Sequence, residues 1–357
     1  MTARNFPADT IGRQLAAIFA AWGMPEAIAR PTVEVMVETD LSGIDSHGIA
    51  MMPLYAEQRA EGRWVAAPEI RIVRETAVTG LIDGGHGLGH APSVRAIGMA
   101  IEKAKASGLA AIGVRNSNHY GAAGIYALRA AERGLIGVAT TNVWKASVVP
   151  TRSRKAMFGT NPIAFAAPAG RNPPFVLDMA TSTVAIGKLT VAKLNQKPIP
   201  EGWAVDDTGR PTIDPVTALK HRLLSPLGGI PGMSSHKGYG LAAMVEILSA
   251  MLPGAFYAPT RERHHPGTRH YNVGHFFLAI DPGAFRDPAE FCAEIDDMID
   301  ALHGAVPVDK GLPVLVPGDP EHTARALRQA SGVPIPASLL AQIKEIARAA
   351  GAPFLLE

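Results

Sequence analysis

The hydrophobic residues near the N-terminus repeat every three or four positions, which is the spacing of amphipathic helices. The first such segment carries Ile11, Leu15, Ile18, Phe19 and Trp22. Asp9 or Thr10 can cap this helix. A second helix is expected from Pro25 to Leu41, with an interruption near Pro31 because proline lacks the backbone N–H.

A third helix is expected at about residues 53–60, and the same helical spacing returns at the C-terminus. Asp319 and Pro320 make a good helix start, with a capping residue followed by a first-turn proline. The last amphipathic segment carries Leu339, Leu340, Ile343 and Ile346. Helices at both termini predict that the two ends of the chain pack together.

Between these ends the hydrophobic period shortens to that of strands. The strand-like segments are 70–72, 78–82, 109–114, 135–140, 164–167, 175–178 and 276–280. Residues 92–107 and 125–132 are helical in pattern. Residues 190–235 are rich in Pro and Gly and are expected to be irregular, with a turn at 206–210. Residues 241–252 are apolar almost all round, so this helix is expected to be central.

The order of these elements lacks the regular strand–helix alternation of a doubly wound protein. The sequence therefore predicts an α/β fold of the mixed α+β kind. The chain has 357 residues, of which 47% are hydrophobic and 18% are charged, so a large core is expected.

Charge and cysteine content exclude several classes of protein. A net charge of +2 gives no basic field for nucleic acid. The single cysteine, Cys292, rules out an intramolecular disulfide and suits a reducing compartment. The N-terminus lacks a signal-peptide core, and the apolar run at 239–252 is short and contains Glu246. A cytoplasmic protein without membrane or nucleic-acid partners is expected.

The sequence lacks the usual nucleotide-binding and hydrolase signatures. Gly85, Gly87 and Gly89 do not have the spacing of the G-x-G-x-x-G dinucleotide fingerprint, and no P-loop is present. No G-x-S-x-G elbow occurs either, which weakens the case for an α/β-hydrolase. A Rossmann site is therefore not expected.

A group of histidines near residue 270 is the only candidate metal cluster in the sequence. Its members are His264, His265, His270 and His275. Their spacing matches no standard zinc site, and neither H-E-x-x-H nor C-x-x-C occurs. An exposed polar loop is the favoured interpretation, and no metal is expected.

Residues 45–48, Asp-Ser-His-Gly, form the first candidate catalytic group. A histidine flanked by a carboxylate and a hydroxyl can be held in one tautomer and can transfer a proton near neutral pH. The alternative is a helix C-cap ended by Gly48. A Ser-His-Asp hydrolase triad is disfavoured because adjacent residues rarely aim at one another as a triad requires.

Residues 115–124, RNSNHYGAAG, form a second polar group at a strand-to-helix junction. His119 is a catalytic candidate like His47, and its alternative role is that of a loop histidine bonded to Asn116 or Asn118. Backbone amides at the helix start favour an anion, and the glycines allow a ligand to approach closely. Residues 236–237, His-Lys, can also bind a phosphate or carboxylate, or can form a solvated helix end.

Seven motifs, in order along nearly the whole chain, resemble those of the type-2 malate/L-lactate dehydrogenase family. This family also includes sulfolactate, ureidoglycolate and diketogulonate enzymes and a piperideine-carboxylate reductase. The motifs occupy residues 45–48, 116–121, 158–162, 177–182, 199–203, 237–240 and 317–321. A chance match of seven ordered motifs is very improbable.

The resemblance implies an NAD(P)-dependent oxidoreductase that interconverts a 2-hydroxy acid and a 2-oxo acid, or a related imine. It implies a non-Rossmann cofactor domain with a mixed, largely antiparallel sheet, a helical domain from both termini, and a homodimer with the site near the subunit interface. The missing fingerprint agrees with this fold. The approximate domains expected are 1–68 with 300–357 (helical), 69–115 with 190–235 (substrate side) and 116–189 with 236–299 (cofactor-binding).

The same motifs imply roles for individual residues. His47 is expected to exchange the proton with the substrate carbonyl and to lie near the nicotinamide, with Ser46 and Asp178 supporting it. His119 is expected to shape the pocket or to share the proton transfer. Cofactor contacts are expected from His47, Gly121, Ala122, Ala123, Val176, Leu177, Asp178, Met179, Ala180, His236, Asn272, Gly318, Asp319, Pro320 and Glu321.

One departure from the family pattern concerns the substrate. Many relatives have an arginine, suited to a substrate carboxylate, where this chain has Met51. Met51 and His236 instead resemble the hydroxycarboxylate dehydrogenase branch. Another cation, Lys145 or Arg152, is then expected to bind the carboxylate. An apolar pocket around Met51 and Met52 would suit a bulkier or aromatic substrate.

The sequence leaves the cofactor and two alternative functions open. NAD is expected, and NADP is possible because Arg152 and Arg154 can meet its extra phosphate or can be merely solvated. The alternatives are a cyclic imine (piperideine or pyrroline-2-carboxylate) reductase and a non-catalytic cofactor-binding protein. Met51 favours the latter, whereas the intact His47, Asp178 and His119 argue against it.

Overall fold

The computed structural model describes residues 3–357. The strands are β1 (Arg4–Phe6), β2 (Arg71–Glu75), β3 (Thr79–Asp83), β4 (Leu109–Ser117), β5 (Ile136–Thr141), β6 (Ile163–Ala167), β7 (Phe175–Met179), β8 (Ala204–Val205), β9 (Pro211–Thr212), β10 (Leu223–Leu224), β11 (Val273–Ile280) and β12 (Val333–Ile335). The helices are α1 (Ala8–Ala21), α2 (Glu26–Leu41), α3 (Met52–Ala60), α4 (His90–Ser107), α5 (Gly124–Ala131), α6 (Ile186–Leu194), α7 (Pro215–His221), α8 (Ser235–Glu246), α9 (Arg261–His264), α10 (Pro288–His303), α11 (Asp319–Ser331) and α12 (Ala337–Ala350). A π-helix at Ile247–Met251 continues α8.

Seven strands form the central sheet, in the order β2-β3-β4-β11-β5-β6-β7. Only β3 and β4 run parallel, and the other neighbouring pairs are antiparallel. The expected mixed, largely antiparallel sheet without a Rossmann arrangement is therefore confirmed.

The sheet buries one face under α4 and α5. Ile97 and Ile101 of α4 and Tyr126 of α5 pack with Phe277 of β11 in one buried cluster. Successive strand residues point to opposite faces, so the neighbouring Phe276 faces away from this cluster, towards Met251 at the end of the π-helix. This arrangement leaves α8 and the π-helix on the outer side of the sheet.

Both chain ends form a helical unit, as expected. β1 pairs with β12 antiparallel, and α1, α2, α3 and α12 share a second buried cluster that includes Leu15, Met52 and Ile343. The buried amide of Gln14 joins the ends further: it donates to the Pro353 carbonyl (3.0 Å) and accepts from the Leu355 N–H (2.6 Å).

The expectation of an irregular segment at 190–235 is wrong. This segment contains a three-stranded sheet, in the order β10-β8-β9, and α7, with a small core that includes Leu189 and Leu224. The predicted turn at 206–210 joins β8 to β9, where Asp206 Oδ1 accepts from the Arg210 N–H (3.0 Å).

The three-domain division stays a prediction, although its boundary at residue 115 does not follow the sheet. That boundary falls inside β4, and both sides of it supply strands to the same seven-stranded sheet.

Several helices differ from the sequence prediction. α2 continues through Pro31, a buried residue in the second turn of the helix. α1 begins at Ala8 rather than at a cap on Asp9 or Thr10, and α10 was not predicted. The helix at 241–252 is not central: Ile247 is 54% exposed and Leu252 is 65% exposed. No helix among residues 3–357 is long and apolar enough to span a bilayer.

Candidate active site

His47 lies in a tight turn between α2 and α3. Its peptide N–H donates to the Ile44 carbonyl (3.0 Å), and a 3-10 helix begins at Ile49. Ser46 Oγ lies 2.7 Å from His47 Nδ1, so the predicted support from Ser46 is present as a hydrogen bond. His47 Nε2 has no protein partner within residues 3–357, which leaves this atom for a ligand.

His119 lies against His47 although 72 positions separate them in sequence. The two rings stack with centroids 5.4 Å apart and planes 29° apart. His119 follows β4, whereas His47 follows α2, so the sheet and the helical unit each supply one histidine. The structure thereby joins the two polar groups that the sequence analysis singled out.

Hydrogen bonds fix the tautomer of His119. Its Nδ1 atom accepts from the Gly121 N–H (3.3 Å) and lies 2.7 Å from the Tyr55 hydroxyl. Because a peptide N–H can only donate, Nδ1 carries no proton, and Tyr55 donates to it as well. The neutral ring therefore carries its proton on Nε2, which is available as a donor.

Burial disfavours the protonated form of both histidines. It lowers the pKa of His47, and it lowers the pKa of His119 well below the ordinary value of 6.5. His47, His90 and His275 lower the pKa of His119 further, because each would repel a second positive charge. A proton placed on His47 is consequently easy to release.

Acidic and basic side chains hold the turn around His47. Asp45, the carboxylate that flanks His47 in sequence, pairs with Arg328 of α11. Arg328 also donates to the Asp40 carbonyl (2.6 Å), and Arg325 of the same helix pairs with Glu38. α11 is thus attached to the end of α2 by two arginines.

Asp178 lies at the start of α5 rather than beside His47. Its Oδ2 accepts from the Gly124 N–H (2.6 Å), and no hydrogen bond among residues 3–357 joins it to His47. Solvent reaches the side chain from a cleft, but protein encloses its other sides. This enclosure raises the pKa of Asp178 to about 6, against the lowering effect of Gly124, and Glu321 raises it too. The predicted support of His47 by Asp178 is therefore not direct.

The start of α5 fits an anionic group of a cofactor. Ala122 and Ala123 are buried, and no acceptor within residues 3–357 binds their peptide N–H groups. Gly121, at φ +82°, turns the chain into this helix start. Unpaired amides at a helix N-terminus are suited to a pyrophosphate.

The segment at 318–321 packs against β7. The Val176 N–H donates to the Pro317 carbonyl (3.0 Å), and a Cβ on Gly318 would lie 3.2 Å from the Val176 nitrogen. The Asp319 carboxylate accepts from the Val316 N–H (2.7 Å), so it holds this loop. Glu321, one residue after Pro320, faces the adjoining cleft.

Two predicted cofactor segments, at 176–180 and 318–321, meet at this cleft beside Gly124, which directly follows the third segment at 121–123. A cavity of about 30 Å³ is lined by Gly124, Val176, Asp178 and Glu321, among others. It joins a groove of about 500 Å³, because the two share Ile125, Leu128 and Arg325. Carboxylates beside free backbone amides match the hydroxyls and the pyrophosphate of a dinucleotide, so the residues present fit this cofactor.

Other predicted cofactor residues lie further from this cavity. Leu177 and Met179 belong to β7, and Ala180 follows it. His236 is exposed on the first turn of α8, and Asn272 is buried with both ends of its amide engaged. It accepts from the Asn116 N–H (2.6 Å) and donates to the Gly254 carbonyl (3.3 Å).

The substrate side differs from expectation at several residues. Met52 is fully buried among the terminal helices, so only Met51 remains for the expected apolar pocket. Lys145 is exposed, and Arg152 lines a separate cavity beside Gly209. Arg154 is also exposed in that region.

The four histidines considered as metal ligands are dispersed. His275 is bonded to Ser117 (2.8 Å), His265 stacks on Phe256, and His270 stacks on His86. His264 is exposed. Across residues 3–357 no group of three or more potential metal ligands occurs.

Sequence reasoning missed two residues of this site. Tyr55 contacts His119 across 64 positions, and no local pattern signals that contact. Asp40 lies beneath the His47 turn, with its carboxylate bonded to the Ile49 N–H. The sequence did offer one signal for Asp40: it is an acid within the apolar last turn of α2, shortly before His47 and Gly48.

Comparison with known proteins identifies the family. Residues 6–344 match the malate/L-lactate dehydrogenase family model. The chain is 38% identical to malate dehydrogenase of Pyrococcus horikoshii, over 97% of this chain and 95% of that protein. It is 39% identical to L-sulfolactate dehydrogenase of Methanothermobacter thermautotrophicus, over 93% of each. The structure of malate dehydrogenase from Entamoeba histolytica superposes with a TM-score of 0.92 at 32% identity, covering 98% and 99% of the two chains.

Two further relatives bear on the expected branch and on the imine alternative. Hydroxycarboxylate dehydrogenase B of Escherichia coli is 32% identical over 98% of this chain and 95% of that protein, so overall identity does not single out that branch. The Δ1-piperideine-2-carboxylate reductase structure from Pseudomonas syringae has a TM-score of 0.83 at 30% identity, covering 96% and 100%. By its sequence and its fold, the chain belongs to the malate/L-lactate dehydrogenase family, which implies a nicotinamide cofactor.

Proposed function

We propose that the protein is an NAD-dependent oxidoreductase that interconverts a 2-hydroxy acid and a 2-oxo acid, with His47 as the proton donor and acceptor. The observation that carries this proposal is the stacked pair of His47 and His119, each with no hydrogen-bond partner on Nε2 within residues 3–357. Relatives named malate, sulfolactate and hydroxycarboxylate dehydrogenase support the reaction class.

The two histidines have different tasks in this proposal. When bound, the nicotinamide supplies or accepts the hydride at the substrate C2. His47, protonated on both ring nitrogens, gives its Nε2 proton to the carbonyl oxygen as negative charge develops there and becomes neutral; in the oxidative direction the neutral ring takes the proton back. Ser46 holds the other ring nitrogen of His47. His119 stays neutral and donates its Nε2–H to the same oxygen or to the substrate carboxylate.

The cofactor proposal rests on the chemistry of the cleft. The free amides of Ala122 and Ala123 would bind the pyrophosphate, and Asp178 and Glu321 would accept hydrogen bonds from ribose hydroxyls. Two carboxylates disfavour an added phosphate, which supports NAD over NADP. One relative is named as an NADP-dependent sulfolactate dehydrogenase, so both cofactors belong in the test.

A second proposal concerns assembly as a homodimer. Met244, Ile247, Met251 and Leu252 are exposed along α8 and the π-helix, and a groove of about 600 Å³ runs beside them along the sheet. An apolar face of this kind is typical of a subunit interface, and a second copy of the chain is the proposed occupant. Light scattering should show a dimer for the wild-type protein and a monomer for Ile247→Glu. A wild-type protein that is already monomeric would contradict the proposal.

The test of the reaction follows NADH and NADPH consumption with oxaloacetate, phenylpyruvate and Δ1-piperideine-2-carboxylate. Wild-type enzyme is expected to reduce a 2-oxo acid with NADH. His47→Ala should lower kcat by roughly a hundredfold or more, the size typical of a lost acid–base group, while the Kd for NADH changes little.

Three results would overturn this reading. Turnover of the imine alone would favour a cyclic imine reductase. NADH binding without turnover of any substrate would favour a non-catalytic cofactor-binding protein. Full activity of the His47→Ala variant would remove His47 from the proposed role.

A further inference from the structure

Asp40 is a buried acid directly beneath the turn that carries His47. It is on the last turn of α2, and only 2% of its surface is exposed. Its Oδ2 accepts from the Ile49 N–H (2.9 Å), which is the start of the 3-10 helix that leads into α3. A carboxylate at a helix start is favoured by the helix dipole, so this contact stabilises the segment that follows His47.

The same carboxylate packs against the residue next to His47. A Cβ built on Gly48 would lie 1.9 Å from Asp40 Oδ1, and 2.2 Å from Cγ. Gly48 has φ −94° and ψ −129°, outside the backbone regions that residues with a Cβ favour, so both its conformation and the lack of space require glycine. The carboxyl group and the Gly48 backbone are therefore in direct contact, and the turn has no room to shift towards α2.

The charged groups around Asp40 oppose one another. Burial raises the pKa of its carboxyl to about 7, and Asp45 raises it as well, whereas the Ile49 N–H and Arg328 lower it. Burial of a carboxylate costs folding free energy, so its presence here points to a role for its hydrogen bond and its position. The Asp45 carboxylate is paired with Arg328, so it does not take over the bond that Asp40 accepts from the Ile49 N–H.

We propose that Asp40 is a positioning residue for proton transfer: its carboxylate fixes the turn at residues 48–49 and so keeps the His47 ring stacked on His119. This inference rests on the proposed role of His47. Asp40 acts through the backbone and does not reach the reacting atoms. Displacement of a catalytic group by about 1 Å can lower a rate by roughly a hundredfold, so an acid held this close to His47 has a large effect available.

The test compares Asp40→Asn and Asp40→Ala in single-turnover measurements of NADH oxidation. Asn retains an acceptor for the Ile49 N–H, whereas Ala leaves that N–H unpaired in the interior. The rate constant is expected to fall by roughly tenfold for Asn and a hundredfold for Ala, with the Kd for NADH changed less than twofold. A merely structural role would lower the amplitude, through fewer folded molecules, and would leave the rate constant unchanged.

Asp296 offers a matched control. It too is a buried carboxylate that accepts from backbone N–H groups, those of Arg171 (2.8 Å) and Asn172 (2.9 Å), and it is on α10, away from His47. Asp296→Asn should reduce stability and leave the single-turnover rate constant at the wild-type value. Equal losses of rate in the Asp40 and Asp296 variants would contradict a specific role for Asp40.

A double variant distinguishes the steric contact between Asp40 and Gly48 from the effect of Asp40 on the position of the His47 turn. Gly48→Ala alone should disrupt folding, because its Cβ meets the carboxyl group. Combined with Asp40→Ala, the clash is removed, so the double variant should regain part of the stability that Gly48→Ala loses and should bind NADH, while the rate constant of its folded fraction stays low. A double variant with wild-type rate would overturn the inference.

The result also distinguishes this inference from the proposed function. If wild-type enzyme turns over no substrate, the proposed function fails. If wild-type enzyme is active and Asp40→Ala has the same rate constant, only the positioning role fails.

Discussion

The hydrogen bond from Tyr55 to His119 should determine which ring nitrogen of His119 carries the proton. Tyr55→Phe removes the hydroxyl that lies 2.7 Å from His119 Nδ1 and leaves only the longer bond from the Gly121 N–H, at 3.3 Å. Tyr55 is fully buried, so water does not readily replace the lost donor. The Nδ1-protonated form then becomes accessible to the neutral ring.

The size of the effect follows from the energy of one hydrogen bond. A buried neutral hydrogen bond contributes about 1 kcal/mol, with a range of roughly 0.5–1.5 kcal/mol. The tautomer ratio should therefore move by about fivefold towards Nδ1-protonated His119, and kcat should fall by at most about the same factor because fewer molecules present the Nε2–H donor. The Kd for NADH should stay within about twofold, since Tyr55 does not line the cleft.

Nitrogen-15 NMR of the histidine side chains measures the tautomer directly, and steady-state kinetics measure kcat. Tyr126→Phe is the matched control: it removes another buried tyrosine hydroxyl, bonded to the Tyr120 carbonyl, without touching His119. That variant should lose stability and keep the wild-type tautomer. The reasoning is refuted if Tyr55→Phe leaves both the tautomer and kcat unchanged, or if Tyr126→Phe alters them equally.

Three further predictions concern the cofactor, the substrate and stability. Protonation of Asp178 should weaken NADH binding as the pH falls through about 6, and Asp178→Asn should abolish this dependence; a fluorescence titration with equal slopes would contradict it. Met51→Arg should raise kcat/KM for oxaloacetate relative to phenylpyruvate by about tenfold, through a charge-assisted contact with the second carboxylate; an unchanged ratio in parallel assays would place residue 51 outside the pocket. His90 is fully buried, neither ring nitrogen has a hydrogen-bond partner among residues 3–357, and burial lowers its pKa from 6.5 to about 3. The unfolded chain takes up this proton below pH 6.5 and the folded chain does not, so lowering the pH from 7 to 5 should cost about 2 kcal/mol of stability through His90. Urea unfolding of His90→Asn should show a pH dependence smaller by that amount, whereas exposed His264→Asn should match wild type.

Local patterns in the sequence predicted most of the central sheet and the helical ends, because alternation and helical spacing record burial on one face. They could not predict how α8 is covered. An apolar helix face has the same pattern whether its own chain or a second copy covers it, and Ile247 is exposed here. α10 was missed because only Ile299 and Asp296 are buried on it, so its pattern is weak.

In the candidate site too, the sequence identified some residues but not their contacts. His47, His119 and Asp178 stand in recognisable motifs, and the family resemblance identified them as candidates. Their partners depend on contacts between distant parts of the chain. Tyr55 reaches His119 only because α3 packs beside the end of β4, and the motif around Asp178 did not reveal that its carboxylate binds Gly124 rather than His47. Such pairings follow from the tertiary fold, which a single sequence does not display.

α11 has a consequence for the order of events in a catalytic cycle. Glu321, in its first turn, lines the proposed dinucleotide cleft, whereas Arg325 and Arg328, one and two turns later, are paired with Glu38 and Asp45 at the end of α2 and in the His47 turn. A 13-residue helix is a rigid rod about 20 Å long, so a movement at one end also displaces the other end. A dinucleotide that steadies the first turn also steadies the turn that carries the proton donor. Under the proposed function, this arrangement predicts that the dinucleotide binds first and that the organic acid then meets a site already ordered for it.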